Sequence, residues 1–235
     1  MTRLQRRMPS LKMWRRHVVK VKICGLSSVE TLAAALEAQA DFVGLVFYGP
    51  SPRNISIEDA RPLADLARGN AKIVALTVDP DDALIEEIAG TIRPDFFQCH
   101  GSESPERIAE ITTKTGIPVI KAIKVREQED VREAVLYDGI AAMMLYDAKV
   151  PEGFKNPLPG GNGVQFDWSL LGTNTDAEPF MLSGGIGIDN VAKAIEVVHP
   201  AIVDVSSGVE TTPGEKDAGL IREFIAKVKA KGLNA

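Results

Sequence analysis

Reactive side chains recur along this sequence at one kind of place, the end of a short apolar run. Cys24, Arg53, Asp79, Gln98 with His100, Lys124, Asp147, residues 183–185 and residues 204–208 each follow a segment rich in Val, Ile, Leu or Phe. Thiol, carboxyl, imidazole and guanidinium groups gathered on one rim are of the kinds that transfer protons and hold anions. A purely structural chain gains nothing from such an arrangement. A zinc site made from Cys24, Cys99 and His100 fails on spacing, since the sequence has no CxxC or HxxxH pair.

Two stretches near the end carry the most specific generic signal. MLSGGIG (181–187) and VDVSSGVE (203–210) put small residues where a strand should give way to a helix. Glycine and serine let backbone N–H groups come close to a ligand, and a helix N-terminus favours an anion. A phosphate is therefore expected on Gly184, Gly185, Ser206, Ser207 and Gly208. A tight turn is the competing reading of either stretch alone.

The elements that must position these groups alternate regularly from residue 18 onward. Apolar runs at 18–24, 41–48, 72–78, 95–98, 118–124, 142–147, 179–183 and 201–205 read as strands. Segments 28–38, 56–67, 82–92, 104–115, 127–137, 166–171, 189–198 and 215–231 have helical spacing. Ser27 or Ser28 caps the first, and Glu58 and Asp59 sit in the first turn of the second. Eight strands separated by helices must run parallel, and they close most naturally into a single-domain (β/α)8 TIM barrel. A doubly wound sheet is the alternative. Short repeats and the lack of GxGxxG after the first strand favour the barrel. Active sites in barrels lie at the C-terminal ends of strands, where the reactive groups fall. Residues 149–178 break the rhythm. Three prolines and four glycines in 151–163 forbid regular structure, and so long a loop on the catalytic face is expected to cover substrate.

Composition narrows the partners. The chain has 235 residues, 45% hydrophobic and 25% charged, as in soluble globular proteins, and no apolar run long enough for a membrane span. Two cysteines are too few for a disulfide framework and suggest a reducing cytoplasm. The first 25 residues hold eight Lys or Arg and no acid. The other 210 carry 19 basic against 32 acidic groups, a net of −13. So acidic a body disfavours nucleic acid as the main partner. Residues 1–17 read as a basic extension outside the core, which spans 18–235. A nucleic-acid arm and an organellar presequence are the other readings of that segment.

Seven segments then fall in order: KICG (22–25), GLVFYGPSPRNIS (44–56), QCHG (98–101), LYDAK (145–149), GGNGVQFDW (160–168), LSGGI (182–186), and DVSSGVE (204–210) with PGEKD (213–217). Together they resemble the phosphoribosylanthranilate isomerase family, from about residue 20 to the C-terminus. The family usually carries proline where Gly49 stands, leucine at Cys99 and threonine at Asn162.

The resemblance implies an Amadori rearrangement in tryptophan biosynthesis. N-(5-phosphoribosyl)anthranilate would become 1-(2-carboxyphenylamino)-1-deoxyribulose 5-phosphate, with Cys24 as general base and Asp147 as general acid. An acid and a base suffice, so no cofactor or metal is required. Free thiols titrate near ~8.5 and free Asp near ~3.9, so both need help at neutral pH. Lys22, two residues back on the same strand face, is the candidate to favour the thiolate. Arg53 would take the anthranilate carboxylate, Asp204 the ribose hydroxyls, and Gln98 and His100 would line the aromatic pocket. Cys99 should point into the core, and Trp14 and Trp168 should pack. The expected partner is a small-molecule substrate, neither nucleic acid nor membrane, for a monomer or homodimer. The rivals are a histidine-pathway aldose–ketose isomerase, which uses two aspartates, and a catalytically silent phosphate-binding barrel.

Overall fold

A computed structural model describes residues 18–154, 157–172 and 178–232. Eight strands close into a parallel barrel in sequence order. They are β1 Lys20–Cys24, β2 Phe42–Phe47, β3 Lys72–Thr77, β4 Phe96–Cys99, β5 Val119–Val125, β6 Met143–Ala148, β7 Phe180–Leu182 and β8 Ile202–Val205. The helices are α1 Val29–Glu37, α2 Ile57–Ala67, α3 Asp82–Thr91, α4 Pro105–Thr115, α5 Gln128–Arg132, α6 Val191–Val198 and α7 Ala218–Gly232. The barrel expectation is met. The proposed extension at 1–17, with Trp14, lies outside the described residues.

Local chemistry starts the helices where expected. Ser28, Ser56, Asp81 and Ser104 each accept a backbone N–H three residues on, satisfying donors that a helix leaves open. Alternation along the strands then sorts side chains to two cores. Phe42, Val74, Ile120, Met143, Leu145, Met181 and Ile202 fill the barrel interior. Ile23, Val43, Phe97, Val203 and the apolar helix faces make the larger layer between strands and helices. Cys99 belongs to that outer layer and is fully buried, and Trp168 packs there too.

Three segments differ from the sequence expectation. Helix 127–137 splits into α5 and a 3-10 helix, Glu133–Tyr137. The buried carboxylate of Asp130 accepts N–H groups of Arg126 and Glu127, which fixes the first turn but not a long helix. Segment 166–171 contributes only a 3-10 turn, Trp168–Leu171. The last helix begins at Ala218, because 210–216 form a hairpin, β9 Glu210–Thr212 with β10 Glu215–Lys216. Gly214, with φ of +93°, makes its turn. No helix therefore follows β8 directly.

Candidate active site

The last residues of β1 to β8 meet on one rim. A cavity of ≈ 480 Å³ opens there, lined by Cys24, Arg53, Gln98, His100, Asp147 and Asp204 among others. Six residues expected from the sequence are thus brought together. A second, polar cavity of ≈ 310 Å³ adjoins it and shares Asp147, Gly161, Ser183, Asp204 and Ser206 as wall. Gly184, Gly185, Ser206 and Ser207 line this second space. Gly184 and Gly185 have φ of +81° and +62°, which side-chain-bearing residues rarely adopt. Gly208 is not part of the wall; it bridges to Gly187 and holds the two turns side by side. Lys124 and Asp79 line neither cavity.

The Cys24 thiol is buried, and burial pushes its pKa up. Lys22 pulls it down, but Asp204 raises it again. The reason is visible in the geometry: Lys22 Nζ donates to Asp204 Oδ1 at 2.8 Å, inside the barrel, so its charge is already matched. Lys22 therefore favours the thiolate, as expected, but burial outweighs it and the net shift is upward. Sequence reasoning overlooked a second cation, Lys216. Its ammonium pairs with Glu210 and donates to Ser206 O and Oγ, at 3.2 and 3.3 Å. Ser206 Oγ in turn donates to the Cys24 carbonyl at 3.1 Å.

Asp147 accepts a hydrogen bond on each oxygen. Its own neighbour Ala148 N donates to Oδ1 at 2.9 Å, and His100 Nε2 lies 3.0 Å from Oδ2. On the far side of the ring, Gln98 Nε2 lies 2.9 Å from His100 Nδ1. With the Gln98 amide donating there, the imidazole proton sits on Nε2 and points at the carboxylate. Among the described residues, Gln98 Oε1 is buried without a partner. Lys149, two residues on, is turned away to Asp130 at 2.7 Å.

Arg53 is buried and one edge of its guanidinium is occupied. Nε and Nη2 donate to Glu210 Oε1 and Oε2, both at 2.8 Å, and Nη2 also reaches Gly161 O at 3.1 Å. Residues 158–161 of the long loop lie directly on the cavity. A Cβ at Gly160 would fall 2.7 Å from His100 Nε2 and 2.8 Å from Asp147 Oδ2, so only glycine fits under this cover. Asn162 clasps the loop, accepting from Leu158 N at 3.0 Å and donating to Leu158 O at 2.8 Å. The part of the loop at 155–156 and 173–177 lies outside the described residues.

Signals for Glu210 and Lys216 were present in DVSSGVE and PGEKD, but nothing local told that the hairpin folds them back onto Arg53.

Comparisons with known proteins agree with this geometry. Residues 21–227 match the family model described as "PRAI: N-(5'phosphoribosyl)anthranilate (PRA) isomerase". The chain is 49% identical over 210 residues to the N-(5'-phosphoribosyl)anthranilate isomerase of Rhodopseudomonas palustris, covering 89% of this chain and 95% of that one. It is 47% identical over 209 residues to that of Caulobacter vibrioides, covering 88% and 94%. The crystal structure of phosphoribosyl anthranilate isomerase from Thermotoga maritima superposes with a TM-score of 0.80 at 38% identity, covering 91% of this chain and all of that one. A fold, a cavity and a sequence match over nearly the same span place this chain in the N-(5'-phosphoribosyl)anthranilate isomerase family, a family of isomerases.

Proposed function

We propose that this protein converts N-(5'-phosphoribosyl)anthranilate to 1-(2-carboxyphenylamino)-1-deoxyribulose 5-phosphate, in tryptophan biosynthesis. The observation that carries the proposal is one cavity walled by both a thiol and a carboxyl, Cys24 and Asp147, abutting a second built of Gly and Ser turns. Phosphate in the second cavity would set the ribose across the first. Asp147 gives a proton to the furanose oxygen, the C1'–O bond breaks, and a protonated imine forms with the anthranilate nitrogen. Cys24 then removes the C2' proton; the electron pair becomes the C1'–C2' double bond of an enolamine, and the imine nitrogen is neutralised. Loss of the hydroxyl proton at C2' and gain of one at C1' yields the ketone. Acid and base come from different strands, so the two steps need no rearrangement of the protein.

Three further roles follow from the polar atoms left open. Arg53 keeps Nη1 for the anthranilate carboxylate. Asp204 has Oδ1 engaged by Lys22, leaving Oδ2 for a ribose hydroxyl. Gln98 Oε1, buried and unpartnered, would accept the anthranilate N–H. Phosphoribosylanthranilate generated in place from anthranilate is fluorescent, and its loss in the presence of purified protein tests the proposal. A signal that persists at wild-type protein concentrations sufficient for single turnover would refute the substrate.

A further inference from the structure

Glu103 and Lys121 form a buried ion pair outside both cavities, with side chains 1% and 3% exposed. Besides bonding each other, the two side chains bind backbone just past the ends of β3 and β4. Glu103 accepts from Gly101 N on both oxygens at 3.0 Å, and from Asp79 N at 2.9 Å. Lys121 Nζ donates to Glu103 Oε2 and to Gly101 O, both at 2.8 Å. Tyr137 Oη donates to the Glu103 carbonyl at 2.9 Å and lays its ring beside the ammonium. Asp79, in the left-handed region at φ of +45°, takes Ser102 N at 2.7 Å and leaves no room for a side chain at Gly101.

The segment so held begins at the peptide joining His100 to Gly101. The strand ladder ends one bond earlier, where His100 N donates to Thr77 O at 2.9 Å. Beyond it, the buried pair supplies the partners that a neighbouring strand would otherwise give. Well-packed apolar residues stabilise a fold as well as a buried ion pair does, so stability alone does not account for charges here. Direction does: both polar ends of Gly101 are fixed, and with them the exit angle of His100, whose ring holds Asp147.

We propose that the Glu103–Lys121 pair is a positioning device that sets His100 and, through His100, the carboxyl of Asp147. The inference rests on Asp147 being the acid of the reaction proposed above. Glu103→Gln keeps the shape but places an amide donor against two N–H donors. It is expected to lower kcat on the order of 10²-fold, as a misplacement of about 1 Å does, with KM changed less than about threefold. Because the pair acts through the imidazole, Glu103→Gln added to His100→Asn should cost little beyond His100→Asn alone. Imidazole ¹⁵N shifts of His100 and hydrogen exchange of the Gly101 amide report the same effect without turnover. Both should change in Glu103→Gln at unchanged far-UV circular dichroism. If Glu103→Gln does not fold, Lys121→Met, which leaves Glu103 in place, takes the same measurements. Losses that multiply in the double variant, or a lowered Tm with normal kcat and unchanged His100 signals, overturn the device. Changed His100 signals in an enzyme whose wild type turns nothing over would sink the reaction and leave the brace standing.

Discussion

Arg53 grips Glu210 through two parallel hydrogen bonds of 2.8 Å, so the Nε–Nη2 edge of its guanidinium is held within the protein and Nη1 is set in place. The pair is buried, and Glu210 also neutralises Lys216. Their charges hold the Glu210 carboxyl below its ordinary pKa against the effect of burial. Replacing Glu210 with Gln would leave two buried cations facing each other. Removing one partner of a buried pair costs roughly 3 kcal/mol, and for a chain of this length that is about 6–12 °C in Tm. A thermal melt within about 2 °C of wild type would contradict this account.

Arg53→Lys tests substrate recognition through the same residue. A lysine can replace one contact to Glu210 but cannot also leave a planar N–H for the ligand. We expect KM to rise roughly tenfold or more, the loss of about one charged hydrogen bond, with kcat reduced less. Steady-state kinetics separates the two.

For the acid and base, the expectation is the reverse. Cys24→Ala and Asp147→Asn should each reduce kcat by about 10²–10⁴-fold, the ordinary worth of proton transfer by a placed group, while KM moves little. Near-normal turnover in either variant would remove that residue from the mechanism.

The thiol should report its own surroundings by pH. Burial raises the Cys24 pKa despite Lys22, so the thiolate fraction grows as pH increases through and beyond ~8.5. In the free enzyme kcat/KM should therefore climb on the alkaline side of neutrality, and absorbance at ~240 nm, where thiolates absorb, should rise in step and vanish in Cys24→Ala. Cys99, pushed up to about 12 by burial, will not interfere. A rising limb centred well below ~7 would show that the matched Lys22–Asp204 pair does not govern the base.

Gly160→Ala probes the cover. Its methyl would press on His100 and Asp147 at once, so the loop must lift or the pair must part. We expect kcat to fall about tenfold or more, given how steeply rate depends on placement, with Tm nearly unchanged because the residue lies in a surface loop. An unaltered kcat would mean the loop does not rest on the pair during turnover.

The strands were legible because a buried parallel strand writes itself as a continuous apolar run, and the rim residues because each such run ends in a polar group. Caps such as Ser28 and Ser56 were legible for a local reason, a hydroxyl three residues before its partner. Arg53, by contrast, is 157 residues from Glu210, and Lys22 is 182 residues from Asp204. No local pattern announces such pairs. Hence the sequence shows Lys22 beside the thiol but not the Asp204 carboxylate that shares its charge, and it gives Glu210 no role. The last helix reads as starting at Glu215 rather than Ala218 because Glu215 and Lys216 are good helix formers. The Gly214 turn and the bond from Asp217 N to Val209 O decide otherwise.

Lys22 sits on the first strand to be made and Asp204 on the last, as paired neighbours in the ladder that shuts the barrel. Until that final seam is zipped, a lone ammonium would stand next to Cys24 in a half-open sheet. A nascent or truncated chain should therefore expose a sulfur more readily alkylated than the finished enzyme's. Closure of the sheet is then expected to quiet the thiol, and its alkylation rate to time the end of folding.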